Sequence, residues 1–125
     1  MWSTGSNSFG QLGIGLLFEK SFVFRKVIGG VANAVAAGAL HSLVLMQDGS
    51  VMATGRNLFG QLGDGSIIAK STFTTVVGSG VVAVVAGHSH SLMLKQDGSV
   101  WMTGRNNFAQ LGTGDMISSL SLIHI

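Results

Sequence analysis

An internal repeat is the feature that most constrains the fold of this chain. The stretch HSLVLMQDGSVMATGRN at 41–57 returns almost unchanged as HSLMLKQDGSVWMTGRN at 90–106. TGSNSFGQLG at 4–13 also returns, at 54–63 and at 103–112, with offsets of 50 and 49 residues. A period of this length is typical of architectures in which each unit buries its faces against its neighbours. The pattern divides the chain into repeats at 2–51, at 52–100 and, incomplete, at 101–119.

Each copy carries the signal of a β-hairpin. Asp48-Gly49 and Asp97-Gly98 stand between short apolar runs. Asp-Gly at such a place favours a two-residue type I′ turn, because Gly prefers and Asp tolerates the positive φ that both central residues need. The sequence therefore predicts two hairpins, with these four residues in the turns.

The strands of the hairpin are apolar on both faces. Leu43 and Leu45 point to one side, whereas Val44 and Met46 point to the other. A sheet with one solvated face would alternate apolar with polar residues. Since no segment shows an amphipathic helical pattern with caps, the cover must come from other copies of the same sheet.

Four short strands in each period, covered on both faces, are typical of a propeller blade. The four candidates of one period lie at 72–77, 81–86, 90–95 and 100–104. The predicted fold class is all-β, a partial β-propeller of four-stranded antiparallel blades in repeats of about 50 residues. The chain then holds the end of one blade at 2–29, a whole blade at 31–78 and most of a third at 81–104.

Composition argues against several classes of partner. Charged residues make up 10% of the chain and the net charge is +2, which is too small to indicate a nucleic-acid or anionic-membrane partner. The apolar run at 27–46 is long enough for a membrane span. However, it contains Asn33 and His41, and both it and its copy end in a hairpin turn. We therefore expect neither nucleic acid nor membrane as a partner.

The repeat resembles that of the regulator of chromosome condensation family. The resemblance is carried by Gly87-His88-Ser89-His90-Ser91-Leu92, Asp97-Gly98-Ser99-Val100-Trp101, Gly104-Arg105-Asn106 and Gln110-Leu111-Gly112. It covers residues 1 to about 115 and implies a seven-bladed propeller, of which this chain is roughly a third. The family includes guanine-nucleotide exchange factors, ubiquitin-ligase partners, photoreceptors and inhibitors of other proteins, so the resemblance implies a scaffold and leaves the partner open.

The resemblance favours a non-catalytic protein-interaction scaffold that binds a protein of unknown identity and the missing blades of its own parent chain. Two alternatives stay open. One is guanine-nucleotide exchange on a small GTPase, and the other is an inhibitor that covers the active site of a target enzyme. We expect no enzymatic activity, no catalytic residues and no bound cofactor.

Several repeated residues have a predicted structural role. His41 and His90 occupy one repeat position, and each is expected to bond to the backbone at the start of a strand. His88 and His90 lie two residues apart on one strand face, but no third ligand has matching spacing, so no metal site is predicted. The remaining structural positions are Asp48, Gly49, Gly55, Gly63, Asp97, Gly98, Gly104 and Gly112.

Arg56-Asn57 and Arg105-Asn106 follow the hairpin at the same position in two copies. Repeated Arg in a loop could present a basic row to an acidic partner. The same residues could instead cap local carbonyls between blades, and the tight loop with Asn favours this structural role. All four are candidate partner-binding residues.

The final residues, 120–125, do not fit the repeat. LSLIHI reads as the translation of a transposon-end adapter used in sequencing libraries, which predicts a non-native tail after a propeller region at 1–119. The outer blades of such a region would be incomplete and would leave apolar faces and open strand edges, so we expect it to self-associate.

Overall fold

The computed structural model describes residues 1–17 and 20–125, and this part of the chain forms ten β-strands. The strands are β1 Trp2–Gly5, β2 Ser21–Lys26, β3 Ala32–Ala37, β4 His41–Met46, β5 Val51–Gly55, β6 Lys70–Val77, β7 Val81–Ala86, β8 His90–Lys95, β9 Val100–Gly104 and β10 Ser119–His124. The apolar run at 27–46 forms β3 and β4. No helix in the described ranges is long and apolar enough to cross a membrane.

The strands form three antiparallel sheets. The first sheet pairs β1 with β2, the second has the order β3-β4-β5-β6, and the third has the order β10-β9-β8-β7. Each four-stranded sheet is a blade built from consecutive strands, and the two-stranded sheet corresponds to the outer half of a preceding blade. The prediction of an all-β partial propeller with four-stranded antiparallel blades is confirmed.

Both predicted hairpins are present, but the turn type was wrong. Gly49 has a φ of 80°, whereas Asp48 is not among the residues with positive φ. Gly49 N–H donates to Met46 O at 3.0 Å, and Met46 N–H donates to Ser50 O at 2.8 Å. These bonds define a three-residue loop, a type I turn followed by a left-handed Gly. Asp48 keeps a negative φ because its carboxylate accepts from both the N–H and the hydroxyl of Ser50, at 2.9 and 2.6 Å. The loop at Asp97 is the same.

The apolar core lies between blades. Leu45 and Val51 of the second blade pack with Val81 and Met93 of the third, and each of the four is at most 3% exposed. The face that β8 turns away from this core has no such cover, since Leu94, which matches Leu45 in the repeat, is 38% exposed. A strand in this chain is therefore buried on both faces only where a neighbouring blade is present.

The third blade has its fourth strand, which differs from the expectation. β10 pairs with β9, with Ser119 opposite Gly104 and Ile123 opposite Met102. Leu122 packs against the core between the second and third blades. The third blade therefore includes residues after the loop that follows β9. The open edge of β9 offers unpaired backbone N–H and C=O groups, and the backbone of 119–124 pairs with them. That 120–125 are non-native stays a prediction about the origin of the sequence.

Candidate functional site

The loops that follow β1, β5 and β9 lie at one end of the blades, beside the short connections between β3 and β4 and between β7 and β8. Arg56 N–H donates to Leu40 O and Arg105 N–H donates to Ser89 O, both at 2.8 Å. We call this end of the blades the loop rim. It consists of residues 6–17, 38–40, 56–69, 87–89 and 105–118.

A buried Asn organises each loop of the rim. Asn57 is 0% exposed. Its Oδ1 accepts from Leu62 N–H at 3.0 Å, and its Nδ2 donates to Asp64 Oδ1 at 2.9 Å. Asn7 and Asn106 occupy equivalent buried positions with equivalent bonds. The suggestion that Asn57 and Asn106 contact a partner is therefore wrong, because their amides are enclosed by the loops that they hold together.

His41 connects the second blade to the third. Its Nε2 lies 3.0 Å from Ser91 Oγ, and Ser91 donates its own hydroxyl hydrogen to Gln61 O at 2.6 Å. His41 Nε2 therefore carries a hydrogen and donates it to Ser91. The residue does start a strand, but its imidazole bonds to a side chain of the next blade, whereas a backbone partner was expected. The prediction missed this because the hydroxyl comes from a residue one repeat away.

The His41 ring is held in its neutral form. The side chain is 1% exposed, and its Nδ1 has no hydrogen-bond partner among the described residues. Burial lowers the pKa of His41 to about 4, with smaller contributions from His90 and His88. A charged imidazolium here would have to be desolvated without an acceptor for its second N–H. The buried position of His41 between the blades therefore favours the neutral form.

His90 occupies the same repeat position in the third blade, where the chain supplies no following blade. Its side chain is half-buried, and burial lowers its pKa as well. Within the described ranges, no three or more His, Cys, Asp or Glu side chains lie close enough to share a metal ion. His88 Nδ1 instead lies 3.0 Å from Ser89 Oγ.

The glycines with a predicted structural role all have positive φ. The values are 80° at Gly49, 110° at Gly55, 78° at Gly63, 84° at Gly98, 110° at Gly104 and 66° at Gly112. At Gly55 a Cβ would also stand 2.5 Å from Leu40 O, and at Gly104 it would stand 2.5 Å from Ser89 O. These two glycines let the chain leave the sheet directly before the Arg of the loop rim.

The two Arg side chains stack with three Phe side chains in a row that crosses all three blades. The Cζ of Arg56 lies 5.1 Å from the Phe9 ring centroid and 5.8 Å from that of Phe59. The Cζ of Arg105 lies 5.1 Å from Phe59 and 5.7 Å from Phe108. These distances are within the range of cation–π attraction. We call this row of five residues the Arg–Phe ladder.

The Phe members of the ladder were not among the predicted site residues. A signal was present, because Phe9, Phe59 and Phe108 stand at one repeat position, three residues after Ser6, Arg56 and Arg105. The sequence does not show that the Arg of one blade stacks on two rings, namely the Phe of its own blade and the Phe of the preceding blade.

Apolar pairs in the same loops were also missed. The exposed fractions are 45% and 44% at Leu16 and Leu17, 55% and 66% at Ile67 and Ile68, and 70% and 73% at Met116 and Ile117. The available signal was an apolar dipeptide after each Gly-x-Gly, in GIGLL, GDGSII and GTGDMI. The loop rim thus combines repeated exposed apolar residues with two stacked cations.

Family models match the central part of the chain. Models described as "Regulator of chromosome condensation (RCC1) repeat" match residues 33–61 and 81–110 in one case and 48–94 in another. Together they extend from 33 to 110, over the second blade and most of the third.

Curated relatives match about half of the chain. "Probable E3 ubiquitin-protein ligase HERC4" of Rattus norvegicus is 42% identical over 62 residues, which are 47% of this chain and 6% of that protein. "Protein RCC2" of Homo sapiens is 41% identical over 70 residues, which are 53% of this chain and 13% of that protein. "X-linked retinitis pigmentosa GTPase regulator" of Homo sapiens is 35% identical over 78 residues, 61% of this chain and 8% of that protein. The chain spans only a small part of each relative.

Solved structures match over almost the whole chain. Human WBSCR16 superposes with a TM-score of 0.83 at 26% identity, covering 99% of this chain and 34% of that one. Prp20p of Saccharomyces cerevisiae, described with its binding properties to Gsp1p and histones, superposes with a TM-score of 0.91 at 24% identity, covering 99% and 33%. The second likeness is one of fold. The chain corresponds to about a third of each of these proteins.

Proposed function

The chain belongs to the regulator of chromosome condensation (RCC1) repeat family, and from this premise we propose that it is a non-catalytic protein-interaction scaffold whose loop rim contacts a protein partner. The single observation that carries the proposal is the repeated exposure of apolar residues on that rim. Ile67, Ile68, Met116 and Ile117 are each 55% to 73% exposed. Clustered exposed apolar residues on a folded protein mark interaction surfaces.

The use of the polar side chains supports a scaffold role. His41 and Ser91, a pair that in other settings performs nucleophilic chemistry, are at most 1% exposed and bond across the blade interface. Ser91 gives its hydrogen to a backbone carbonyl of Gln61, so the imidazole acts as a donor and not as a base toward it. These groups stabilise the stacking of blades.

The outer face of the third blade supports the missing blades of a parent chain as a further partner. Val85, Leu94 and Val100 are 57%, 38% and 37% exposed there. The residues that match Leu94 and Val100 in the second blade are Leu45 and Val51, which are 3% and 0% exposed under a neighbour. A following blade of the same kind fits this face.

The loop-rim proposal is tested by comparing two variants, each of which replaces two exposed β-branched apolar residues by Ser. One variant carries Ile67→Ser and Ile117→Ser on the loop rim. The control carries Val31→Ser and Val82→Ser, at residues that are 61% and 51% exposed near the hairpin turns at the other end of the blades. Proteins retained from a cell extract by each immobilised chain are quantified by mass spectrometry.

We expect a set of proteins to be retained by the native chain and the control and lost from the loop-rim variant. Loss from both variants, or from neither, would count against the loop rim as the contact surface. Circular dichroism of all three chains shows whether the fold is preserved.

Guanine-nucleotide exchange on a small GTPase is the second candidate. It is favoured by the relative described as a GTPase regulator, which is 35% identical over 61% of this chain. The assay is the release of a fluorescent GDP analogue from purified small GTPases with and without the chain. Acceleration that the loop-rim substitutions abolish would support exchange, and unchanged release would exclude it for the GTPases assayed.

A further inference from the structure

The Arg–Phe ladder indicates what kind of segment the loop rim binds. We propose that Arg56 and Arg105 bind the carboxylates of an extended acidic segment of the protein partner. This inference rests on the proposed function and specifies the chemistry of the partner. It follows from the two stacked cations, from the way they are held and from the spacing between them. The two carboxylates of the rim, Asp64 and Asp115, accept hydrogen bonds from Asn57 and Asn106 of their own loops.

Among the described residues, neither guanidinium group has an ion-pair partner. The ion pair found in the described part of the chain joins Lys70 Nζ to Asp64 Oδ2 at 3.5 Å and involves neither Arg. Arg105 Nε is buried and has no hydrogen-bond partner among the described residues. An unsatisfied buried donor is uncommon in folded proteins. The half-buried Arg105 side chain also carries terminal N–H groups, and these are the donors that a carboxylate from outside the chain would reach.

The stacking prepares both groups for a carboxylate. A guanidinium that lies over an aromatic ring keeps its N–H groups at its edge, where they can donate in pairs to one carboxylate. The guanidinium groups of Arg56 and Arg105 both lie close to the Phe59 ring, at 5.8 and 5.1 Å from its centroid. Because the rings restrict these side chains before binding, less rotamer entropy is lost when a ligand binds.

The spacing fits an extended segment. The two guanidinium carbons can be no further apart than their distances of 5.8 and 5.1 Å from the Phe59 centroid taken together. This limit accommodates carboxylates two or three residues apart in an extended chain, roughly 6.6 to 10 Å. Leu58 and Phe108, next to these cations, are 54% and 80% exposed. They offer apolar contacts to the residues between the carboxylates.

A protein segment fits the ladder better than a nucleic acid does. Single-stranded nucleic acids bind by stacking bases on free aromatic faces. Phe59 already contacts two guanidinium groups, which reduces the ring area open to a base. The net charge of +2 also lacks the excess of cations that phosphate binding uses.

The test uses the chain and a fluorescein-labelled peptide of alternating Glu and Ser, with fluorescence anisotropy at low and at high salt. The ladder variant carries Arg56→Gln and Arg105→Gln. The control variant carries Arg25→Gln and Lys26→Gln, which removes the same charge from exposed residues of β2. A third variant, with Arg56→Lys and Arg105→Lys, keeps the charge and loses the paired donors.

We expect the ladder variant to bind the peptide roughly tenfold more weakly than the native chain, since two partly exposed ion pairs are lost. The control should bind within about twofold of the native chain, and the Lys variant between the two. A peptide with Gln in place of Glu should not bind.

Equal weakening in the ladder and control variants would overturn the proposal, since it would indicate a general effect of charge. Tighter binding of a labelled oligothymidylate than of the Glu peptide would overturn it in favour of a nucleic acid. A further outcome is that the acidic peptide fails to bind while the Ile67 and Ile117 substitutions still abolish the retention of proteins from the extract. In that case the proposal of an acidic ligand is wrong, and the proposal that the loop rim contacts a protein partner stands. Thermal melting of each variant excludes unfolding as the cause.

Discussion

Acidification should weaken the contact between the second and third blades through His41. The pKa of this residue is lowered from 6.5 to about 4 in the folded chain, chiefly because the ring is buried. Between these two values the unfolded chain binds a proton that the folded chain does not. The stabilisation is therefore fully present above pH 6.5, and it is lost as the pH falls toward 4.

The magnitude follows from the size of the shift. One pKa unit corresponds to about 1.4 kcal/mol, so the shift from 6.5 to about 4 corresponds to about 3 kcal/mol of unfolding free energy over the whole window. About 2 kcal/mol of this should be lost between pH 6.5 and 5.

The pKa values of Asp48, Asp64, Asp97 and Asp115 are all lowered from 3.8. These carboxylates therefore stay ionised in this window, and their own contribution is lost only at lower pH.

The assay is equilibrium unfolding in urea from pH 7.5 to 4.5, followed by circular dichroism and with light scattering to fix the association state. The His41→Gln variant keeps a donor for Ser91 and cannot titrate, so its stability should change by less than about 1 kcal/mol between pH 6.5 and 5. In the His90→Gln control most of the slope should remain. It should be smaller, because the pKa of His90 is itself lowered by burial and because the charge of His90 contributes to lowering the pKa of His41. An equally steep loss in His41→Gln and in the native chain would refute this reasoning.

Three further predictions concern the turns, metal dependence and the outer faces. Gly49→Ala should destabilise the chain by about 2 kcal/mol and Gly98→Ala by about 1 kcal/mol in urea unfolding. Both have positive φ, but only at Gly49 does a Cβ meet the next blade, 2.9 Å from Gly80 N; equal losses would contradict this. Chelator should leave the melting temperature unchanged, because His88 and His90 lack a third ligand, and a clear decrease would indicate a bound metal. The purified chain should self-associate in size-exclusion chromatography with light scattering, since Leu94 and Val100 are exposed on an outer blade face; a monomer with a cooperative melt would show that this face needs no cover.

The prediction of the blades succeeded because the information lies within one repeat. The runs at 41–46 and 51–55 are short, apolar on both faces and joined by a Gly-containing turn, and these signals involve neighbours in sequence. The turn type was wrong because the Asp48 carboxylate bonds to Ser50 and fixes a negative φ. The preference of the Asp-Gly pair for type I′ turns does not by itself predict this hydrogen bond.

The candidate site was predicted only in part. Arg56 and Arg105 were found because they recur at one repeat position, and the structure places them half-buried on the loop rim. Asn57 and Asn106 share that recurrence but are enclosed in their loops. Repetition therefore indicates that a residue matters to each unit, but it does not separate a side chain that faces solvent from one that holds the loop.

The sequence alone determined the repeat, the strands within it and the covering of each sheet by other sheets, because these depend on spacing and polarity along one unit. The tertiary structure decided which residues meet between units. His41 bonds to Ser91, and Arg105 stacks on Phe59, only because adjacent blades stack with a particular angle and offset. The pairing of 119–124 with β9 was likewise decided by an open strand edge. Backbone hydrogen bonding at an edge accepts many sequences, whereas contacts between blades depend on a stacking geometry that no single repeat contains.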